Sequence, residues 1–207
     1  MFYTFSYPFL PARINKDTND ITLQKTVNSN QNLTVNASGT TRFNDAVNVN
    51  NLTTDAAGNT QINGSVTTTG TQTYNDSVEI QNPVTLSTAN SDITFANKVD
   101  SQNGEANNLT LSSGTGNISF NDSVGESNGL GNVSVNSGGT TRFNNTLKAT
   151  SLTTDLVGTT NINGNITTSG DQTFGHAVNL QADATRANAS KKYEQKKSSY
   201  RGKSEGK

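Results

Sequence analysis

His176 is the single histidine in a chain that has no cysteine. That excludes thiolate zinc sites, cysteine nucleophiles and multi-histidine metal clusters. A serine–histidine–aspartate arrangement would need a carboxylate to orient His176 and a nucleophile beside it. No nucleophile motif points to it. One hundred residues earlier the same place is held by Asp76, inside an Asn/Asp turn. A position that takes either side chain reads as a solvated turn.

Carboxylates are the next candidates, because clustered carboxylates cleave glycosidic bonds and ligate calcium. Asp45, Asp76 and Asp122 recur in Phe43-Asn-Asp, Tyr74-Asn-Asp and Phe120-Asn-Asp, which assigns them to one turn of successive units. Asn145, Gly64 and Asn97 hold the matching positions elsewhere and break any acidic column. Turn formation accounts for Asp and Asn alike, and the glycine-rich nonapeptide calcium repeat is absent. Thr67-Thr-Thr69 and Thr167-Thr-Ser169 are similar to the threonine arrays of ice-binding coils, but occur on too few units to tile a face. Asn-x-Ser/Thr sequons abound, among them Asn32, Asn51, Asn75, Asn108, Asn117, Asn132 and Asn165, as composition alone would produce. No residue is therefore assigned as catalytic, cofactor-binding or metal-ligating, and no cofactor is expected.

What positions these residues is a repeat. Residues 32–81 recur as 132–181 without a gap, with 25 of the 50 pairs identical. Asn32-Leu-Thr-Val and Thr40-Thr-Arg-Phe-Asn44 return as Asn132-Val-Ser-Val and Thr140-Thr-Arg-Phe-Asn144. A chain that copies its framework is an array, and arrays are scaffolds or binding surfaces. Hydrophobic residues make up 29% and charged residues 15%. Both are low against the roughly 45–50% and 25% of ordinary globular chains. So thin a core suits a one-dimensional fold better than a compact two-layer domain.

A finer period lies inside the large one. Leu33-Thr-Val35, Leu52-Thr-Thr54, Val84-Thr-Leu86, Leu109-Thr-Leu111 and Val133-Ser-Val135 alternate with period two, as half-buried strands do. Short strands ending in Phe, Tyr or Ile follow, then Asn/Asp/Gly turns. No stretch up to about residue 183 sustains a helical period. The same inward residue recurs in about eight units, which a stacked coil requires and a meander does not. Eight rungs at about 4.8 Å make a rod roughly 40 Å long. In-register Asn and Thr side chains should then bond along the rod as polar ladders. The inward Phe43, Phe95, Phe120 and Phe143 are expected to stack on Leu or Val of adjacent rungs.

The fold class expected is all-β: a right-handed parallel β-helix, or β-solenoid, over 21–181. It follows an irregular segment, 1–20, and precedes a disordered basic tail, 182–207. Residues 1–184 carry 7 Lys+Arg against 14 Asp+Glu; residues 185–207 carry 8 against 2. The tail lacks apolar periodicity and is expected to be dispensable for folding. Met1–Leu10 is apolar but has no basic start and reads as a poor signal peptide. No stretch reaches the ~20 apolar residues of a membrane-spanning helix.

Leu52-Thr-Thr-Asp-Ala-Ala-Gly-Asn-Thr, Ile62-Asn-Gly-Ser-Val66 and Ile93-Thr-Phe95 resemble the strand repeats of filamentous-haemagglutinin-like and autotransporter-type adhesins. The resemblance covers about residues 21–181. It implies a right-handed β-helix passenger exported across an outer membrane and displayed outside the cell. On that reading the chain is a non-catalytic structural and binding segment of a bacterial cell-surface or secreted adhesin. Its expected location is extracellular, as part of a larger exported protein. Its partners would be glycans or proteins of host or neighbouring cells, with no nucleic acid on the repeat body. The stretches Val99–Asn107 and Gly125–Gly131 interrupt the tight spacing and are expected to be binding loops. The alternative is a carbohydrate-active β-helix enzyme, a polysaccharide lyase or hydrolase, which would need two or more carboxylates in one groove.

Overall fold

The computed structural model describes residues 12–16, 19–181 and 185–188. The apolar start, Met1–Leu10, and the lysine-rich stretch after residue 188 lie outside them. Among the described residues there are only strands, turns and irregular chain, and no helix long and apolar enough to cross a membrane. All strand pairs are parallel, and they stack into a β-solenoid of about eight turns.

Each turn of the coil has three faces. Face A holds Ile21–Leu23, Thr40–Phe43, Asn59–Ile62, Ser77–Ile80 and Val99–Ser101, continues through a bridge at Val124, and ends on Ile166–Thr168 and Arg186–Asn188. Face B holds Val27–Asn28, Val47–Val49, Val66–Thr68, Val84–Thr88, Leu109–Ser112, Leu130–Asn136 and Gln172–Phe174. Face C holds Ala12–Lys16, Leu33–Ala37, Leu52–Thr54, Gln72–Tyr74, Ile93–Phe95, Ile118–Phe120, Thr140–Phe143, Thr159–Ile162 and Ala177–Leu180. The long strand Leu147–Thr154 serves two faces: Leu147 pairs with Ile166 on A, and Leu152 with Gln172 on B. Leu33 pairs with Leu52, a turn of 19 residues, whereas Ile93 pairs with Ile118, a turn of 25. The coil includes Ala12–Lys16, paired with Leu33–Ala37, and runs on to Arg186–Asn188.

Period-two alternation decides what is inside. In Leu33–Ala37 and Val84–Thr88 the first, third and fifth residues are buried and the intervening ones are not. The buried positions of all three faces form one continuous core along the axis. Phe43, Phe95, Phe120 and Phe143 all point into it, as the sequence implies. Their neighbours differ from expectation. On face C, Tyr74, Phe95, Phe120 and Phe143 occupy four consecutive rungs and stack on one another. Ring centroids are 5.1, 5.0 and 5.2 Å apart and planes lie within 8°. Only Phe43 sits between aliphatic residues, Leu23 and Ile62. Turn length is the cause: the 21-, 25- and 23-residue turns bring an aromatic to the same inward place each time.

The large repeat is not a unit of the coil. Phe43 and Phe143 are counterparts, yet Phe43 lies on face A and Phe143 on face C. From Thr40–Phe43 the chain winds four times around face A, through Asn59–Ile62, Ser77–Ile80 and Val99–Ser101 to Val124. It then crosses face B before reaching Thr140–Phe143 on C. One hundred residues therefore span four turns and two further faces.

Polar ladders form as expected, and they move with the repeat. Gln24, Asn44, Asn63 and Asn82 are linked amide to amide at 3.0–3.1 Å along the corner between A and B. Asn121, Asn144 and Asn163 are linked in the same way along the corner between C and A. Asn44 and Asn144 each donate to one neighbour and accept from another. Asn44→Ala and Asn144→Ala should therefore cost the same, about 1 kcal/mol each. Urea midpoints of the two variants that differed widely would show that ladder strength depends on the corner.

Candidate functional site

The polar groups with the most unusual setting lie where the Asp-x-x-Gly corners, Asp55–Gly58 and Asp155–Gly158, bulge outward. Gly58 has φ +75° and Gly158 has φ +90°, in the left-handed region. A Cβ on Gly58 would fall 1.8 Å from the Gly39 carbonyl oxygen. Each bulge is flanked by two inward threonines, Thr54 and Thr60 or Thr154 and Thr160, all buried. The next rung turns a side chain into the niche between them.

In the first copy that side chain is Asp76, 1% exposed. Thr54 Oγ1 donates to its Oδ1 at 2.7 Å and Thr60 Oγ1 to its Oδ2 at 2.8 Å. Burial pushes its pKa up from 3.8 to about 6; the two hydroxyls oppose the shift and the Asp55 carboxylate reinforces it. Burial, with a smaller contribution from Asp76, also raises the pKa of the neighbouring Tyr74 phenol. That hydroxyl donates to Gln72 Oε1 at 3.0 Å. Gln72 is itself fully buried and donates to the Ser87 carbonyl at 2.8 Å.

In the second copy the niche holds His176. Its Nε2 lies 2.8 Å from Thr160 Oγ1, and its Nδ1 lies 3.4 Å from Asp155 Oδ1. The imidazole is 4% exposed. The expectation that Asp76 and His176 occupy a solvated turn is thus overturned. The bulged corner one turn earlier leaves a polar hole, and a two-residue corner sends the side chain into it. Among the described residues, no serine hydrogen-bonds the His176–Asp155 pair.

The other carboxylates do not join this niche. Asp45 lies between faces A and B, while Asp76 and Asp122 lie between C and A, so the three are not one column. Asp45 accepts from Ala46 N–H and from Thr26 Oγ1 and N–H, which together hold its pKa below the ordinary value. Asp122 Oδ1 accepts from Ser123 N–H at 2.7 Å and Asn145 Nδ2 at 3.1 Å. Both carboxylates fasten turns. Among the described residues there is no group of three or more His, Cys, Asp or Glu side chains placed to hold a metal ion.

The outward rows are more regular than the sequence suggests. Thr34, Thr53, Thr73, Thr94 and Ser119 stand in register on five consecutive rungs of face C. Thr85, Thr110, Ser134, Thr153 and Thr173 do so on face B. Reading along the chain missed these rows because the members are 19 or more residues apart; their common signal is the outward residue between two inward-facing ones, and some of those, such as Thr54 and Gln72, are polar. Thr67-Thr-Thr69 is not a flat array: Thr68 points inward and bonds the Gly70 carbonyl at 2.6 Å. On face A, Arg42 bridges Asp20 at 2.6 Å and Gln61 at 3.0 Å, and Gln61 reaches Glu79 at 3.0 Å.

The two loops are narrower than expected, because Val99–Ser101 is a strand and Leu130 begins one. Residues 102–106 and 126–129 protrude from the same A/B corner on adjacent turns. Asp100 Oδ1 accepts from Ser127 N–H at 3.0 Å, and Gly131 N–H donates to the Asn107 carbonyl at 2.9 Å. The second loop is thus tied to the rod, and the residues that follow the two loops are tied to each other. On another corner, Leu156 and Val157 are 84% and 57% exposed where the first copy has Ala56 and Ala57. No family model, curated protein or solved structure matches the chain.

Proposed function

We propose that the chain is a non-catalytic structural and binding segment of a bacterial cell-surface or secreted adhesin, working as part of a larger exported protein outside the cell. The observation that carries this reading is the pairing of a rigid rod with tethered, exposed loops. The framework residues repeat between copies, whereas exposed corners vary, as Ala56-Ala57 against Leu156-Val157 does. Loops held on a fixed scaffold bind at low ordering cost. The hydroxyl rows of faces B and C supply donors and acceptors suited to glycans or to polar protein surfaces.

The enzyme reading has less support, since Asp45 and Asp122 are engaged in turn bonds and lie on different corners. The test is a panel of cell-surface glycans and matrix proteins probed with the full chain. Binding is expected, and replacing 102–106 and 126–129 by short Asn-Gly turns should abolish it without changing the melting temperature. Release of product from a polysaccharide, lost in Asp122→Asn, would overturn the proposal in favour of an enzyme.

A further inference from the structure

The chain contains four Asn-Gly pairs: Asn63-Gly64, Asn103-Gly104, Asn128-Gly129 and Asn163-Gly164. The pair carries a chemistry of its own. A glycine amide nitrogen has no side chain to shield it from the asparagine carboxamide that precedes it. Attack of that nitrogen needs a free carboxamide, a free glycine N–H and room for the intervening peptide to rotate. The fold decides which pairs have them.

Two pairs are locked in the polar ladders. Asn63 Nδ2 donates to Asn44 Oδ1 at 3.1 Å, and Asn63 Oδ1 accepts from Asn82 Nδ2 at 3.0 Å. Gly64 N–H donates to the Phe43 carbonyl at 3.3 Å. Asn163 Nδ2 donates to Asn144 Oδ1 at 3.0 Å. A Cβ on Gly64 would run into the Asp45 backbone, and one on Gly164 into the Asn145 backbone. Both glycines are thus pressed against the rung before. Asn128 is held by its backbone. Its N–H donates to Asp100 Oδ1 at 3.3 Å, and its carbonyl accepts from Ser101 N–H at 3.0 Å.

Asn103-Gly104 differs in each respect. Both residues are exposed. They are the central pair of a turn that Glu105 N–H closes on the Gln102 carbonyl at 3.0 Å. Gly104 has φ +80°, which reserves the position for glycine. A Cβ there would meet nothing within 4 Å. Neither the Asn103 carboxamide nor the Gly104 N–H has a hydrogen-bond partner among the described residues.

We propose that Asn103 is a site of spontaneous modification, converting to aspartate and isoaspartate while the other Asn-Gly pairs are protected by the fold. The Gly104 nitrogen attacks Asn103 Cγ. The new C–N bond replaces the bond from Cγ to Nδ2, which leaves as ammonia with the proton that Gly104 gives up. Water then opens the cyclic imide at either carbonyl. One opening gives aspartate; the other gives isoaspartate, in which the backbone runs through the former side chain. Either product places a new carboxylate next but one to Glu105, on an exposed loop of the rod.

Peptide mapping by mass spectrometry with isoaspartate detection tests this on the full chain, incubated folded in mildly alkaline buffer. Reaction at Asn63 or Asn163 needs the rung to open first, so Asn103 should convert at least about tenfold faster than either. It should also outpace Asn128. Asn103→Gln, whose longer side chain closes the ring far more slowly, should remove the modification and leave the melting temperature unchanged. In urea the four pairs should react at similar rates, since all are then equally free. Folded-state conversion at Asn103 no faster than at the other pairs would overturn the proposal. So would a preference for Asn103 of the same size in urea, because the selectivity would then lie in the local sequence and not in the fold.

Discussion

Phe120→Ala should destabilise the rod by about 3–5 kcal/mol. Phe120 is 1% exposed and sits between Phe95 and Phe143, with ring centroids 5.0 and 5.2 Å away. Truncation removes both stacks, each worth about 0.5–1.5 kcal/mol beyond the area buried. The hole cannot close by collapse, because the rungs on either side are held at the spacing of their backbone hydrogen bonds. Thr110→Ala, on the outward row of face B, should change stability by about 0.5 kcal/mol or less. Urea unfolding of the two variants reads the contrast. Equal losses would mean that the inward and outward assignments are wrong.

Asp76→Asn should stabilise the protein at pH 7, an unusual outcome for a fully buried position. The Asp76 carboxyl titrates near 6 when folded against 3.8 ordinarily, so the native state binds its proton more readily than the unfolded chain. Its contribution to stability is full below about pH 3.8 and is lost as pH rises through about 6. By pH 7 the buried charge costs about 3 kcal/mol, at about 1.4 kcal/mol for each unit of displacement. An amide fits the same place. Its oxygen can accept from one threonine hydroxyl while its nitrogen donates to the other. The variant should therefore gain most of that amount at pH 7 and nothing at pH 4. Denaturant midpoints followed from pH 4 to 8 decide it. A wild-type protein with no stability change across pH 5–7 would rule out the buried, shifted carboxyl.

The parallel coil and its inward residues are legible in the sequence, because alternation marks each strand locally and the same apolar type recurs turn after turn. Phe43, Phe95, Phe120 and Phe143 could be assigned to the core on that ground alone. Which of them touch could not, because contact along the axis depends on turn length, and turns here range from 18 to 25 residues. The same blindness hid the threonine rows. Asp76 and His176 were misread for a different reason. Asn-Asp turns are ordinarily wet, and their burial here is caused by a bulged Asp-x-x-Gly corner a full turn earlier. Two buried threonines facing that corner are the signal that could have found the niche.

The mismatch between the hundred-residue duplication and the turn has a consequence for how such a rod can change. The inherited unit came to rest a third of a revolution away from its parent, and its ladders and inward residues still found partners. The smallest interchangeable piece is therefore one strand with its corner. Removing a whole turn would shorten the rod and leave everything beyond it aimed as before. Removing a single strand and corner would shorten it by a third as much and swing every distal loop by about 120°. In this architecture, small changes in chain length can steer a surface toward a new side of the rod without altering a residue of that surface.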